Sequence, residues 1–158
     1  RHYQHSKIGY NYRMSNIDAG IGRGQLLHLD EHIQRKKAIY QQYKKAFADM
    51  PEIVMNPMNP KGDANNWLSG MIIDKGSSVT PDNVMDALEA ENIESRPIWK
   101  PMHMQPVFAD CDFFSHCEHG AGVSEEIFAR GMCLPSDIKN TDEDMDKIIS
   151  IIRAQFGR

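Results

Sequence analysis

Helix-start signals recur along the sequence and fix where its helices begin. Ser15 and Thr141 are each followed three residues later by an aspartate, the spacing of a capping box, and Thr80 is followed by a proline suited to a first helical turn. Asp30 is the expected cap of a further helix, and Ser124 is the expected first residue of a short one. The predicted helices cover about residues 16–28, 31–49, 81–91, 124–131 and 142–156.

Short apolar segments between these helices predict strands, because Pro, Gly, Asn or Ser flanks each of them. The predicted strands cover about residues 52–55, 67–74, 95–98 and 132–134. Long helices come first, strands are interleaved and a helix comes last, so the fold class is α+β with a small sheet covered by helices. A length of 158 residues suits one domain, and the sequence has no run of 18 apolar residues that would predict a membrane span.

The first predicted helix contains three glycines, which is costly for a helix interior. Gly20 and Gly24 lie one turn apart on one face, with Gly22 between them, and each costs about 0.5 to 1 kcal/mol relative to alanine. Missing side chains on one face let another backbone come close. We therefore predict that this face is a packing seam.

Basic residues concentrate in the first third of the sequence. The first 50 residues carry nine lysines and arginines against four acidic residues, whereas the whole chain has a formal net charge of −4. Such a bias can form a phosphate or nucleic-acid surface, but a solvated helix face explains it more simply, so no nucleic-acid partner is expected. The residues on that face are Arg35, Lys36, Lys37, Lys44 and Lys45.

Two segments hold the side chains best suited to bind a ligand. In residues 94–108 three prolines predict a stiff loop, where Trp99 and His103, with two basic residues, can face an anionic, flat ligand. The alternative is that Trp99 anchors the core and His103 is a satisfied polar group. The second segment, before the first helix, places tyrosines, Asn11 and Arg13 where helix N–H groups favour a phosphate. Here the alternative is that the tyrosines pack and Arg13 pairs with a carboxylate.

The cysteines indicate a reducing compartment, and their spacing does not predict a metal site. The three cysteines are an odd number without paired spacing. Cys111, His116, Cys117 and His119 do not match known zinc spacings, so no metal site is expected and no role is given to this loop.

Four stretches of sequence, taken in order, carry a family resemblance. They read GYNYRMSNI at 9–17, AGIGRGQL at 19–26, RPIWKPMHMQPVF at 96–108 and GMCLPS at 131–136. Together they resemble the C-terminal part of the DegT/StrS-type nucleotide-sugar aminotransferases. The resemblance is strongest to the polysaccharide and bacillosamine-type enzymes that aminate C4 of a UDP-4-keto-6-deoxy-N-acetylhexosamine.

The resemblance implies a pyridoxal 5′-phosphate (PLP) enzyme of the aspartate-aminotransferase (type I) fold, with glutamate as the usual amino donor. Residues 1–158 would be its small C-terminal domain. The large N-terminal domain, which holds PLP on a Schiff-base lysine, would be absent, so no catalytic residue is assigned and the chain alone is expected to be inactive. A bacterial cytoplasmic enzyme without a membrane partner is expected. The alternative is a non-catalytic dimerisation or ligand-binding module.

Site residues follow from the same resemblance. Asn11 matches a family asparagine that reaches the PLP phosphate of the partner subunit. Arg13 matches a family arginine that is positioned for the sugar diphosphate or the donor carboxylate. His103 matches a histidine beside the sugar. Tyr10 and Trp99 are expected to stack against or line the substrate site. The glycine face of the first helix is then a homodimer contact.

The expected absence of the Schiff-base lysine can be tested directly. We expect that PLP added to the purified chain gives no stoichiometric imine that borohydride fixes to one lysine, because no lysine here lies in the family's serine-flanked context. The measurement is absorbance spectroscopy followed by mass spectrometry of the reduced chain. One site-specific adduct at full occupancy would contradict the prediction.

Overall fold

The computed structural model describes residues 3–116 and 122–158. Within them the helices are α1 Asn16–Leu26, α2 Leu29–Ala46, α3 Pro81–Ala90, α4 Val123–Arg130 and α5 Asp142–Gln155. The strands are β1 Ile53–Met55, β2 Ser69–Ile73, β3 Arg96–Pro97 and β4 Gly131–Leu134. Two short 3₁₀ turns, Met102–Met104 and Pro106–Phe108, lie in the proline-rich loop. The predicted α+β class and every predicted helix and strand are confirmed, with boundaries shifted by a few residues.

Reciprocal capping explains why three of the helices begin where they do. The Ser15, Thr80 and Thr141 hydroxyls each accept from the backbone N–H three residues on, and the side chain at that position accepts from the cap's own N–H. Each pair therefore satisfies two backbone donors that a helix start leaves unpaired.

The expected cap Asp30 is wrong. Helix α2 begins at Leu29, and His28 before it makes no side-chain cap. The early start arises because α1 ends only three residues earlier, at Leu26, and the chain continues almost directly into α2. Asp30 lies instead in the first turn of α2, where its negative charge interacts favourably with the positive end of the helix dipole. Helix α4 begins at Val123 after Gly122, one residue before the predicted start at Ser124.

The four strands form one antiparallel sheet in the order β1-β2-β4-β3. Alternate strand residues on one face join a single apolar cluster with α2, α3 and α5. Buried members of that cluster include Tyr43, Met71, Leu88, Met132 and Ile152. Tyr43 also donates its hydroxyl to the Pro135 carbonyl at 2.7 Å, and burial raises its pKa. The sheet is thus fixed to α2 by both packing and a hydrogen bond.

Part of the basic face of α2 has a structural role that the sequence did not reveal. Arg35 and Lys36 donate to the Asn140 and Ser136 carbonyls in the segment that leads into α5. The Lys37 ammonium pairs with Asp63 at 2.5 Å. The expectation that these three residues only face solvent is wrong, whereas Lys44 and Lys45 are exposed.

The opposite face of the sheet is covered closely at Gly131. A Cβ built there would lie 2.5 Å from the Ile127 carbonyl oxygen and 2.7 Å from Cγ1 of Ile98. The glycine therefore lets α4 and the proline-rich loop approach β4. This contact fixes the loop relative to the sheet.

Gly131→Ala should destabilise the chain by about 1 to 3 kcal/mol, because backbone must move to admit the methyl group. Gly62→Ala is the matched control, since a Cβ at Gly62 meets nothing within 4 Å. The measurement is the free energy of unfolding in urea. Equal stabilities of the two variants would show that the close approach at β4 is not a constraint.

Candidate functional site

Among the α-helices described, α1 and α4 contain no buried residue. The apolar residues Ile127 and Phe128 of α4 are half-buried, whereas the large apolar side chains of α1 are open to solvent, Ile17 with 76% of its surface exposed. A Cβ at any of the three glycines of α1 would meet nothing within 4 Å. The predicted packing seam is therefore not made with any part of the chain that the structure describes.

The segment before α1 holds its candidate side chains outward. Tyr12 and Arg13 have φ angles of 57° and 71°, left-handed conformations that cost about 1 to 3 kcal/mol each in a non-glycine residue. The Asn11 side-chain oxygen accepts from the Arg13 N–H at 3.1 Å and stabilises this turn. The Asn11 amide nitrogen has no partner among residues 3–116 and 122–158, so it remains a free donor.

The alternative in which this segment packs into the chain's own interior is wrong. Tyr10 and Tyr12 are 77% and 88% exposed and contact each other, with ring centroids 6.2 Å apart. Arg13 is exposed and forms no ion pair with a carboxylate in the described part of the chain. All four side chains from Tyr10 to Arg13 therefore face outward.

The proline-rich loop is held by one buried polar side chain. Gln105 is only 3% exposed and bonds three backbone groups: its oxygen accepts from the His5 N–H at 2.8 Å, and its nitrogen donates to the Tyr3 and Lys100 carbonyls at 3.0 and 3.2 Å. The Val107 N–H donates to the His5 carbonyl at 3.1 Å. The first residues described are thereby pinned onto the loop.

Three aromatic rings form a strip along this loop. Trp99 stacks on Tyr3 at a centroid distance of 6.4 Å and meets Trp67 at 6.1 Å. Both tryptophans are more than half exposed, so the alternative in which Trp99 anchors the core is wrong. The pairing could not be predicted from sequence, because 32 positions separate the two rings and Trp67 lies at the start of a predicted strand. The strip borders an open cleft of about 1010 Å³.

The cations of the loop are engaged within the chain. The Arg96 guanidinium pairs with Glu94 at 2.7 Å and donates to the Tyr3 hydroxyl at 3.2 Å, and both contacts raise its pKa. Lys100 donates to the Gln4 side chain at 3.3 Å. These contacts hold the aromatic strip in place.

His103 is the most constrained of the predicted site residues. Its Nε2 lies 2.7 Å from Oε1 of Glu125, and its ring stacks on Phe113 at a centroid distance of 3.7 Å. The hydrogen bond to His103 and a second from the Gly122 N–H lower the pKa of the Glu125 carboxyl. Sequence reasoning missed Glu125, for which the only local signal was its place in the first turn of α4.

The candidate residues form two groups. Tyr10, Asn11 and Arg13 lie before α1, whereas Trp99 and His103 lie on the proline-rich loop. No hydrogen bond or ring contact joins the two groups within the residues described.

Other features of the chain add no site. No cluster of three or more potential metal ligands occurs in the described ranges, and Cys117 and His119 lie outside them. Cys111 is exposed and free. Within the described residues, the helices are too short or too polar to cross a bilayer.

The chain is similar in sequence to two enzymes along almost its whole length. EpsN of Bacillus subtilis, whose name assigns it to the PLP-dependent aminotransferases, is 42% identical over 155 residues, which are 98% of this chain and 39% of that protein. GDP-perosamine synthase of Caulobacter vibrioides is 31% identical over 153 residues, which are 96% of this chain and 40% of that protein. The chain thus spans about two fifths of the length of these relatives.

A solved structure shares the fold. Escherichia coli GDP-4-keto-6-deoxy-D-mannose-3-dehydratase with bound hydrated PLP superposes with a TM-score of 0.74 at 21% identity, over 91% of this chain and 36% of that chain. The small sheet and its helices therefore belong to the type I fold of PLP-dependent aminotransferases. Residues 1–153 match the DegT/DnrJ/EryC1/StrS aminotransferase family, and the chain belongs to that family. The predicted fold and family are confirmed, and so is the prediction that the family is PLP-dependent.

Gln105→Glu should loosen the N-terminal segment, because a carboxylate still accepts from the His5 N–H but cannot donate to the Tyr3 and Lys100 carbonyls. We expect a loss of about 1 to 3 kcal/mol in the free energy of unfolding and faster hydrogen exchange at the Val107 amide. The exposed Gln41→Glu serves as control. Unchanged exchange in the Gln105 variant would show that this side chain does not hold the segment.

Proposed function

We propose that residues 1–158 are the C-terminal small domain of a sugar-nucleotide 4-aminotransferase. The parent enzyme would transfer an amino group from glutamate to a 4-keto-6-deoxy nucleotide sugar for cell-surface polysaccharide, in the bacterial cytoplasm. The observation that carries the proposal is the solvent exposure of α1 and of the segment before it. The family relationship to EpsN and GDP-perosamine synthase supports the reaction class.

The exposed face of α1 supports a homodimer. Apolar side chains and bare glycines on one face make a surface that gains by excluding water and by close backbone contact. Because nothing in the described chain covers this face, a second subunit is the proposed occupant. The dimer would place residues 10–13 of one subunit beside the large domain of the other.

Asn11 and Arg13 have the chemistry that a phosphate needs. The Asn11 amide nitrogen is a free donor, and the side chain of Arg13, two residues on, is exposed. These residues fit one edge of a PLP phosphate site, with Asn11 on the phosphate and Arg13 on the substrate's diphosphate or the donor carboxylate. PLP bound to a lysine of the large domain would supply the electron sink for transamination.

The second group of residues would face the sugar. Trp99 offers a half-exposed ring for stacking, and His103 an imidazole held at the edge of the proline-rich loop. Tyr10 would line the same site from the partner subunit. The resemblance to the bacillosamine-type enzymes favours a UDP-linked sugar, and the relationship to GDP-perosamine synthase makes GDP the nucleotide to compare with it.

The large domain would supply the Schiff-base lysine, so the chain alone is proposed to be inactive. In this chain Lys36 donates to a backbone carbonyl and Lys37 to Asp63. Both lysines therefore have structural partners. The same surfaces would suit a non-catalytic dimerisation module, which a lysine-bearing large domain in the parent protein would exclude.

Asn11→Ala in the full-length enzyme should weaken PLP retention by about 1 to 3 kcal/mol, because a phosphate oxygen loses a donor. The measurement is the dissociation constant of PLP from the dimer. Asn59→Ala is the matched control, since the Asn59 side-chain oxygen likewise accepts from the N–H two residues on. Unchanged PLP affinity in the Asn11 variant would remove this residue from the site.

A further inference from the structure

We propose that Glu125 is a positioning residue for His103, fixing which nitrogen of the imidazole faces a ligand. The proposal rests on the proposed function for the role of His103 at the sugar, but the pairing itself stands on geometry. The His103 Nε2 to Glu125 Oε1 distance is 2.7 Å, and the two side chains are only 17% and 28% exposed. A hydrogen bond between two such shielded groups is well protected from water.

The two oxygens of Glu125 have separate partners. Oε1 meets His103, whereas Oε2 accepts from the Gly122 N–H at 2.6 Å, at the start of α4. The carboxylate is therefore fixed by a helix start and cannot rotate freely. A rigid acceptor of this kind fixes the orientation of the ring that donates to it.

Phe113 constrains the imidazole from another direction. The two rings are 12° from parallel with centroids 3.7 Å apart, so one face of the imidazole is covered. Nε2 faces the carboxylate, and Nδ1 has no hydrogen-bond partner in the described part of the chain. The edge that carries Nδ1 is thus the polar edge left for a ligand.

The protonation pattern follows from these contacts. Because the pKa of Glu125 is lowered, its carboxylate is ionised at neutral pH and can only accept. When the imidazole is neutral, the carboxylate requires its proton on Nε2, and Nδ1 is then an acceptor. A hydroxyl group of a sugar is a suitable donor for Nδ1.

Glu125→Gln separates positioning from a purely structural role. The glutamine oxygen can still accept from the Gly122 N–H, which turns its NH₂ group toward His103. An amide that donates to Nε2 forces the imidazole proton onto Nδ1, so the acceptor facing the ligand is lost. Glu126→Gln is the matched control, because Glu126 pairs with Lys75 and Arg130 and not with His103.

The first readout is the tautomer of His103 by ¹⁵N NMR, at a pH where the ring is neutral. The proposal predicts the Nε2–H form in the unaltered protein and in Glu126→Gln, and the Nδ1–H form in Glu125→Gln. The tautomer does not depend on catalysis. An unchanged tautomer in Glu125→Gln would overturn the proposal.

The second readout is steady-state kinetics of the full-length enzyme with UDP- and GDP-linked 4-keto-6-deoxy sugars. We expect Glu125→Gln to lower kcat/KM about tenfold or more with an unchanged melting temperature. In a His103→Gln background the same substitution should have no further effect. An equal loss in both backgrounds would overturn the proposal, because Glu125 would then act without His103.

The two readouts distinguish a failure of this proposal from a failure of the proposed function. A tautomer that switches as expected, in an enzyme whose activity His103→Gln leaves unchanged, would overturn the role of His103 in the reaction while leaving the geometry intact. Absence of aminotransferase activity in the unaltered full-length protein would overturn the proposed function, whatever the tautomer.

Discussion

Helix α1 exposes Ile17, Ile21 and Leu26 to solvent, while α2, α3 and α5 bury their apolar faces against the sheet. Water makes such a surface unfavourable unless something covers it, and three glycines on the same helix let a covering backbone come close. The functional proposals depend on this constraint. A helix that packed on its own sheet would also turn the segment before it inward, and Asn11 and Arg13 could not serve a site elsewhere.

The rest of the chain forms a rigid base for the second group of residues. Gly131 lets the proline-rich loop lie close to β4, and Gln105 pins the first described residues to the loop. The loop carries Trp99 and His103 at positions set by a ring strip and by a carboxylate on α4. A stiff scaffold of this kind suits a binding site, because little conformational freedom is lost when a ligand binds.

Sequence predicted the features that depend on local physics. The capping pairs at Ser15 and Thr141 act over three residues, and the apolar stripes of α3 and α5 repeat with the helix period, so each could be recognised without tertiary structure. The small sheet followed from short apolar segments between turn residues. The start of α2 could not be predicted at Asp30, because it depends on how tightly α1 continues into α2.

Contacts between distant residues could not be predicted. Glu125 and His103 are 22 positions apart, and Trp67 and Trp99 are 32 apart, so no periodicity or spacing links them. The exposure of α1 could not be derived from its apolar pattern, since those residues recur as they would in a helix packed on its own domain. Only the resemblance indicated a contact with a second subunit there. For the candidate site, the resemblance supplied the residues, and the structure supplied the orientation of Asn11 and the partner of His103.

The central claim is that Asn11 serves the active site of the other subunit. Subunit complementation tests it most directly: full-length subunits lacking the Schiff-base lysine of the large domain are mixed with Asn11→Ala subunits and allowed to exchange. The PLP concentration is chosen so that Asn11→Ala sites are largely empty. If Asn11 acts across the dimer, each mixed dimer has one intact site, and activity should return to about a quarter of the unaltered level after random exchange. A mixture no more active than its two separate components would contradict the claim.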